Sequence, residues 1–237
     1  MSVGIMFIID STGSMRWIHR ELCDNLQNIV IQFEDEGVPV RFSMVGFRDY
    51  IANSSNWIEF VDFAGEGTVE VFTDWLSNLK AKGGGDNNGE SSLAGAVYGM
   101  KQGRWPDVKR KVLAIFTDDN PHVPDFGIES WEGLHQSIKD NQIDQIHLFI
   151  DAKHVDGFDD LDSHGYDVIR HILVKDNRDA LEQSIRAFVK ISSTGFDSDI
   201  EVIEREDTIN PFDSIDDELM PETEEPVDFD ANPFDDY

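Results

Sequence analysis

The chain has 237 residues, of which 40% are apolar, so it is long enough for one large domain with a substantial core. Its formal net charge of −29 excludes a nucleic-acid binder, which needs a basic surface, and disfavours binding to anionic membranes. No stretch approaches the ~18 apolar residues of a membrane span, and no signal peptide is predicted. The single cysteine, Cys23, allows no intramolecular disulfide, and we expect a cytoplasmic protein.

The first half of the chain alternates between strand and helix patterns. A short isoleucine-rich run at 3–9 is typical of a strand that is buried on both faces. Apolar residues spaced three and four apart predict a helix over 18–33, and Gly37 and Pro39 end it. The other segments predicted here are strands over 40–47 and 57–63, a helix over 68–79 and a glycine-rich loop over 82–90.

The second half continues this alternation. Its predicted segments are a helix from near Glu90 to Met100, a strand over 111–119, a helix over 129–139, a strand over 146–150, a strand within 167–175 and a helix around 181–189. Alternating strands and helices predict an α/β fold with a doubly wound, mostly parallel six-stranded sheet and helices on both faces. Ligands of such folds lie at the carboxyl ends of the strands. We expect one domain over residues 1–196.

The remaining segment, 197–237, has a different composition. Residues 201–237 hold 15 acids and one base, Arg205, with few apolar residues, which predicts a disordered acidic tail. Asn-Pro-Phe-Asp occurs twice, within 210–214 and 232–236, and we expect these motifs to dock a second protein, unless the tail serves only solubility. A further hypothesis is autoinhibition, in which a tail carboxylate occupies a metal and competes with the true partner.

One aspartate and two hydroxyls follow the first strand at a spacing of two residues. In "DSTGSM" a tight loop can direct oxygens of Asp10, Thr12 and Ser14 at one cation, and Gly13 allows the loop to fold back. One carboxylate with neutral hydroxyls suits a hard ion such as Mg²⁺ or Mn²⁺. Two alternatives stay open: a catalytic aspartate, and capping of the next helix by Asp10 and Ser11.

Four motifs together resemble the von Willebrand factor type A (vWA) family over about residues 3–191. They are "DSTGSM" after a buried strand, "GFRDY" closing the next, "GGGDNNGESSLAGA" in mid-chain and "IFTDD" later. The resemblance implies a Rossmann-like fold with a metal-ion-dependent adhesion site, whose first motif is Asp-x-Ser-x-Ser. Asp10, Thr12 and Ser14 match that motif, with Thr12 in place of its middle serine. Asp118 matches a later aspartate that usually meets the metal through water.

The middle loop departs from the commonest family pattern, because no threonine lies between residues 80 and 100. The loop instead resembles that of glycine-rich members, including integrin β-subunits, in which a glutamate contacts the metal. This resemblance implies Glu90 as a ligand, with Asp86 as a substitute or as a ligand of an adjacent Ca²⁺ site. The loop is one residue longer than the usual Asp-x-x-Glu spacing, so the choice between the two acids stays open.

The function that the resemblance implies is cation-dependent binding of a protein partner, whose Asp or Glu completes the metal coordination. Such modules act as adaptors or subunits of intracellular multi-protein systems, for example with an AAA-type ATPase, a kinase or a phosphatase. No nucleophile and base pair is apparent, so no enzymatic activity is expected. The alternatives are a metal-dependent hydrolase, with His122 or Asp119 as its base, and a structural subunit without metal. The acids of "DGFDDLD", 156–162, lack the spacing of an EF-hand loop.

Overall fold

The computed structural model describes residues 2–53, 55–63, 68–84, 89–175 and 177–194. All of them belong to one compact unit, Met1–Asp197. Three predictions lie outside the described residues: the role of Asp86, the acidic tail over 197–237, and the two Asn-Pro-Phe-Asp motifs.

The described residues form an α/β fold with one six-stranded sheet in the order β3-β2-β1-β4-β5-β6. All neighbouring strands run parallel except β2 and β3, which are antiparallel. The sequence prediction of a mostly parallel, six-stranded α/β fold is therefore confirmed. The strands are β1 Val3–Asp10, β2 Val40–Phe47, β3 Ile58–Val61, β4 Arg110–Thr117, β5 Gln145–Asp151 and β6 Asp167–Leu173.

Six α-helices connect or flank these strands in the described residues. They are α1 Arg16–Asp35, α2 Tyr50–Asn53, α3 Thr68–Asn78, α4 Ser92–Gln102, α5 Trp131–Asn141 and α6 Arg178–Thr194. Two 3₁₀ segments, Gly13–Met15 and Ala152–His164, were not predicted, and neither was the short helix α2. Gly13–Met15 and α2 are too brief to show a helical period. Ala152–His164 has 13 residues, but it winds at three residues per turn and is interrupted at Phe158, so it lacks the 3.6-residue period of an α-helix.

The strand predicted over 111–119 extends two residues beyond the end of the observed strand. Strand β4 ends at Thr117, which is its last residue paired with β5. Asp118 and Asp119 therefore lie in the loop that follows, where their side chains are not committed to one face of the sheet. An apolar run shows where a strand is buried, but not the residue at which its ladder ends.

The core consists of two hydrophobic clusters, and β1 contributes to both. Val3, Ile5, Phe7 and Ile9 belong to one cluster, together with apolar residues of α1, α3 and α6. Met6 and Ile8 belong to the other, which contains apolar residues of α4 and α5. Alternate residues of a strand point to opposite faces, so β1 is buried on both. This confirms the interpretation of its isoleucine-rich sequence as a strand buried on both faces.

Three parallel strands end at the same edge of the sheet, and an acid lies at or just after each end. Asp10 is the last residue of β1 and pairs with Phe47, the last residue of β2. Asp49 follows β2, and Asp118 follows β4. The fold therefore brings these acids to one edge.

None of the described helices combines the length and the apolar character needed to cross a bilayer.

Candidate metal centre

Asp10 is the innermost acid of this edge and is completely buried. Its Oδ1 accepts a hydrogen bond from the Thr12 backbone N–H at 2.8 Å, and its Oδ2 accepts one from Thr117 Oγ1 at 3.1 Å. His19 of α1 donates from Nε2 to the Asp10 carbonyl at 2.8 Å, which fixes the end of β1. Burial, reinforced by the negative charge of Asp118, raises the pKa of Asp10 to about 7.

The capping alternative for Asp10 and Ser11 is wrong. Helix α1 begins at Arg16, and its N-cap position is Met15. The preceding 3₁₀ segment has Thr12 at its N-cap, and neither N-cap side chain forms a capping hydrogen bond. The bond from the Thr12 N–H to Asp10 instead closes the loop that leads into the 3₁₀ segment.

The loop that follows β1, called the first loop, contains Thr12 and Ser14, and their hydroxyls link it to the end of β4. Thr12 Oγ1 and Ser14 Oγ are 3.1 Å apart, and Ser14 Oγ donates to Asp118 Oδ1 at 3.0 Å. Thr12 is buried and Ser14 is exposed, so the chain of hydroxyls runs from the interior towards solvent. The structure thus brings together the four residues Asp10, Thr12, Ser14 and Asp118, which are separated by up to 108 positions in the sequence.

Glu90 approaches the same loop from the segment before α4. Its backbone N–H donates to the Asn120 carbonyl at 2.9 Å, and its carbonyl accepts from the His122 N–H at 3.0 Å. These bonds tie Glu90 to the loop after β4. A methyl group on Gly84 would lie 3.7 Å from both Glu90 Oε1 and the Thr12 Cβ, so the two side chains face the same glycine.

The glycines of the middle loop make this approach possible. Gly83 and Gly84 have φ values of +80° and +105°, which favour glycine because a side chain would be strained there. The Gly83 carbonyl accepts from the Gly13 N–H at 3.2 Å, and the Lys82 N–H donates to the Ser11 carbonyl at 3.0 Å. The middle loop is therefore bonded directly to the first loop.

The carboxyl group of Glu90 lies in strongly acidic surroundings. Glu90 is 6% exposed. Burial, followed by repulsion from Asp10, Asp49, Asp119 and Asp118, raises its pKa to about 9. Burial likewise raises the pKa of Asp118, and Asp119 adds to the effect. Five carboxyl groups thus share one partly buried edge of the sheet, where their negative charges repel one another.

Two carboxylate oxygens in this group have no hydrogen-bond partner among the described residues. They are Glu90 Oε2 and Asp49 Oδ2, and both are buried. The other oxygen of Asp49 accepts from the Ile51 N–H at 2.8 Å and lies 3.3 Å from His122 Nε2. A buried acceptor without a partner is costly unless another group satisfies it.

Asp49 was missed as a site residue by the sequence reasoning. It is completely buried, is the fourth residue of "GFRDY" and lies two residues after the end of β2. The rule that singled out Asp10 and Asp118, an acid following a buried parallel strand, applies to it equally. Asp119 was weighed only as a base, yet its Oδ2 accepts from the Gly89 N–H at 3.3 Å and so holds the loop that carries Glu90.

Comparison of the sequence with protein-family models and with curated proteins gives no match. The fold is similar to two crystal structures of the pilus adhesin SpaC from Lactobacillus rhamnosus GG, one of them in an open conformation. Each has a TM-score of 0.56 and 14% sequence identity over 81% of this chain. The chain spans 30% of the length of that adhesin. At this identity the likeness shows a shared α/β fold alone.

Proposed function

We propose that this protein is a vWA-like module that binds a divalent cation at the sheet edge and uses it to hold a protein partner. The doubly wound, Rossmann-like arrangement of the vWA family is part of this proposal. The observation that carries it is the convergence of Asp10, Thr12, Ser14 and Asp118 in one hydrogen-bonded chain, with the buried Glu90 beside it.

The residues of this edge fit a hard cation. The potential ligands are carboxylate and hydroxyl oxygens, which Mg²⁺ and Mn²⁺ prefer. A bound dication supplies the positive charge that offsets the repulsion among the acids, and it satisfies buried oxygens such as Glu90 Oε2. Asp10, Thr12 and Ser14 would hold the ion from the first loop, Asp118 from the loop after β4, and Glu90 from the middle loop.

Glu90 is the middle-loop ligand that the described geometry supports. Its side chain faces Gly84 and Thr12, and the negative charges of Asp10 and Asp118 add to the effect of burial in raising its pKa. A ligand set with two or three carboxylates binds the ion tightly. Because these ligands neutralise much of its charge, the ion attracts a carboxylate of the partner only modestly. The partner's Asp or Glu would approach from the side of Ser14, the exposed member of the chain.

Calorimetric titration with Mg²⁺ and Mn²⁺ tests the metal step. Wild type should bind with saturable heat, and Asp10→Asn should lose the response. Asp35→Asn, which changes an exposed acid at the end of α1, is the matched control and should bind like wild type. No saturable heat in wild type would favour the alternative of a structural subunit without metal, and equal heats in wild type and Asp10→Asn would show that the ion binds elsewhere in the chain.

A panel of immobilised peptides that contain Asp or Glu tests the partner step. Peptides retained in Mg²⁺ should be released by a chelator, and replacement of their acid by Asn or Gln should abolish retention. The same protein should not turn over phosphate or carboxylate esters. Metal-dependent hydrolysis that is lost in Asp10→Asn would instead favour the hydrolase alternative. The pilus adhesin is by its name a binding protein, but its likeness supports only the fold.

A further inference from the structure

A second cluster of potential metal ligands involves none of the acids described above. His135 lies on α5, and Asp160 and His164 lie on the 3₁₀ segment Ala152–His164. One ligand atom from each of the three side chains lies within 4.8 Å of the other two. His135 Nε2 and Asp160 Oδ1 are 2.6 Å apart, and the rings of His135 and His164 stack with centroids 3.4 Å apart.

The two histidines have different surroundings. His135 is 2% exposed, and its Nδ1 is a buried atom without a hydrogen-bond partner among the described residues. Its ring lies between α5 and the 3₁₀ segment. The rings of Trp131 and Tyr166 are beside it, at centroid distances of 6.4 and 5.7 Å. His164 is exposed to solvent, and its ring stacks on that of His135. The cluster therefore combines one buried imidazole, of which one nitrogen lacks a partner among the described residues, with one imidazole that is open to solvent.

Ser163 determines which nitrogen of His164 carries the proton. The Ser163 hydroxyl donates its only hydrogen to the Asp160 carbonyl at 2.6 Å. Its oxygen lies 2.7 Å from His164 Nδ1, and because its hydrogen is already used, it must accept from that nitrogen. Nδ1 of His164 is therefore protonated, and Nε2 carries the free lone pair. A hydrogen bond that fixes the tautomer in this way is typical of metal-ligating histidines.

From this arrangement we propose that His135, Asp160 and His164 bind a late first-row transition-metal ion, of which Zn²⁺ is the representative. Two imidazole nitrogens and one carboxylate oxygen are the donors that Zn²⁺, Co²⁺ and Ni²⁺ prefer, whereas Mg²⁺ prefers oxygen alone. Metal–nitrogen bonds are about 2.0–2.1 Å long, so two ligand atoms of a tetrahedral ion lie about 3.3 Å apart. The ion would replace the hydrogen between His135 Nε2 and Asp160 Oδ1, which are 2.6 Å apart, and would move these two atoms apart while His164 moves inward. The displaced proton would pass to His135 Nδ1, which has no partner among the described residues, or to solvent. The ion would tie α5 to the 3₁₀ segment and retain open positions for water or another ligand.

Titration with Zn²⁺, and with Co²⁺ as a spectroscopic probe, tests this site on the full chain in saturating Mg²⁺. Wild type should bind one equivalent at this site with a Co²⁺ spectrum of nitrogen coordination. His164→Ala removes an exposed ligand with little risk to folding and should weaken binding at least about tenfold. Asp159→Asn is the matched control, because Asp159 lies next to Asp160 but approaches Arg170 instead, at 3.7 Å. It should bind like wild type.

The outcome is separable from the proposed function. Glu90→Gln should retain Zn²⁺ binding here even if it loses its response to Mg²⁺. Identical Zn²⁺ titrations for wild type and His164→Ala, or a Co²⁺ spectrum of oxygen ligands alone, would overturn the proposal and assign any binding to the acids elsewhere in the chain.

Discussion

Two buried groups of titratable side chains in this molecule respond to burial in opposite ways. At the sheet edge, Asp10 and Glu90 have raised pKa values of about 7 and 9, and one oxygen of Glu90 lacks a partner among the described residues. In the core, His147 on β5 and His171 on β6 form a hydrogen bond of 2.9 Å, and both have lowered pKa values.

The difference lies in how far each group satisfies itself. The histidine pair is neutral, it packs against the rings of Phe149 and Phe188, and Ser192 Oγ lies 3.3 Å from the second nitrogen of His147. Three of its four ring nitrogens are thus paired within the core. The carboxyl groups repel one another instead and require an added cation or protons. The buried histidines in the core therefore need no added ion, whereas the buried carboxyl groups at the sheet edge need a cation or protons to offset their repulsion.

The two groups also give opposite dependences of stability on pH. An acid with a raised folded pKa stabilises the fold below its unfolded pKa, and this contribution is lost as the pH rises through the folded value. A histidine with a lowered folded pKa costs stability as the pH falls below about 6.5, because only the unfolded state takes up the proton. Without metal the two effects oppose each other between about pH 4 and pH 7.

The largest expected effect is that of Glu90→Gln in a chelator at pH 8. At this pH the folded state must keep Glu90 protonated, because its pKa is about 9, whereas the unfolded state has it ionised. Replacement by a neutral amide should raise the free energy of unfolding by on the order of 3–5 kcal/mol. Urea unfolding with chelator and with Mg²⁺ measures this. Wild type should gain stability from Mg²⁺ and the variant should not.

The exposed Glu132 at the start of α5 provides the control for this experiment. Glu132→Gln should change neither the free energy of unfolding in chelator nor the stability gained from Mg²⁺. If Glu90→Gln destabilised the protein in chelator, the carboxyl group would have an unrecognised partner. The contrast between the sheet edge and the histidine pair would then be wrong.

The second prediction concerns the histidine pair in saturating Mg²⁺, where the acids at the edge no longer take up protons. Because the pKa of His171 is lowered to about 4, the protein should lose about 2 kcal/mol of stability between pH 7 and pH 5 from this residue alone. His171→Phe should remove that part of the pH dependence, whatever its effect on absolute stability. Urea unfolding at several pH values measures the slope. In His164→Asn, which changes an exposed histidine, the slope should be retained; an equal loss there would contradict the assignment to the core.

Much of the edge could be predicted from the sequence because a single rule governs it. Acids at or just after the ends of buried parallel strands meet at the carboxyl edge of the sheet. Asp10 is the last residue of β1 and Asp118 follows β4, and these two strands are neighbours. The same rule reaches Asp49, although the sequence reasoning did not apply it there. Glu90 required the resemblance to a known family, because no strand end marks its position.

The histidine clusters depend on tertiary details that the sequence does not display. His147 and His171 meet because β5 and β6 pair in a register that sets His171 opposite Phe149, two residues along from His147. His135 and Asp160 are 25 positions apart, and the segment that carries Asp160 is a 3₁₀ run without a helical period. A shift of one residue in either element would separate the rings, and composition and periodicity do not determine that register.

A smaller effect is expected from Gly84→Ala, compared with Gly165→Ala. Both glycines have positive φ, +105° and +72°, so each substitution should cost about 1–2 kcal/mol of stability from backbone strain. Only Gly84 faces Glu90 and Thr12, so only Gly84→Ala should also weaken Mg²⁺ binding. Calorimetry and urea unfolding on both variants separate the two quantities. Equal Mg²⁺ affinities would show that the middle loop does not shape the metal centre.

The smallest effect is expected from Thr12→Ser, which restores the Asp-x-Ser-x-Ser motif. The substitution keeps the hydroxyl that lies 3.1 Å from Ser14 Oγ and removes one buried methyl group, at a cost of about 0.8 kcal/mol of stability. Mg²⁺ affinity should stay within about threefold of wild type. Thr12→Val is the matched variant, because it keeps the shape of the side chain and removes the hydroxyl, and it should weaken Mg²⁺ binding about tenfold. If Thr12→Val bound Mg²⁺ like wild type, Thr12 would serve only to pack the first loop, and the ion would depend on Asp10 and its acidic neighbours alone.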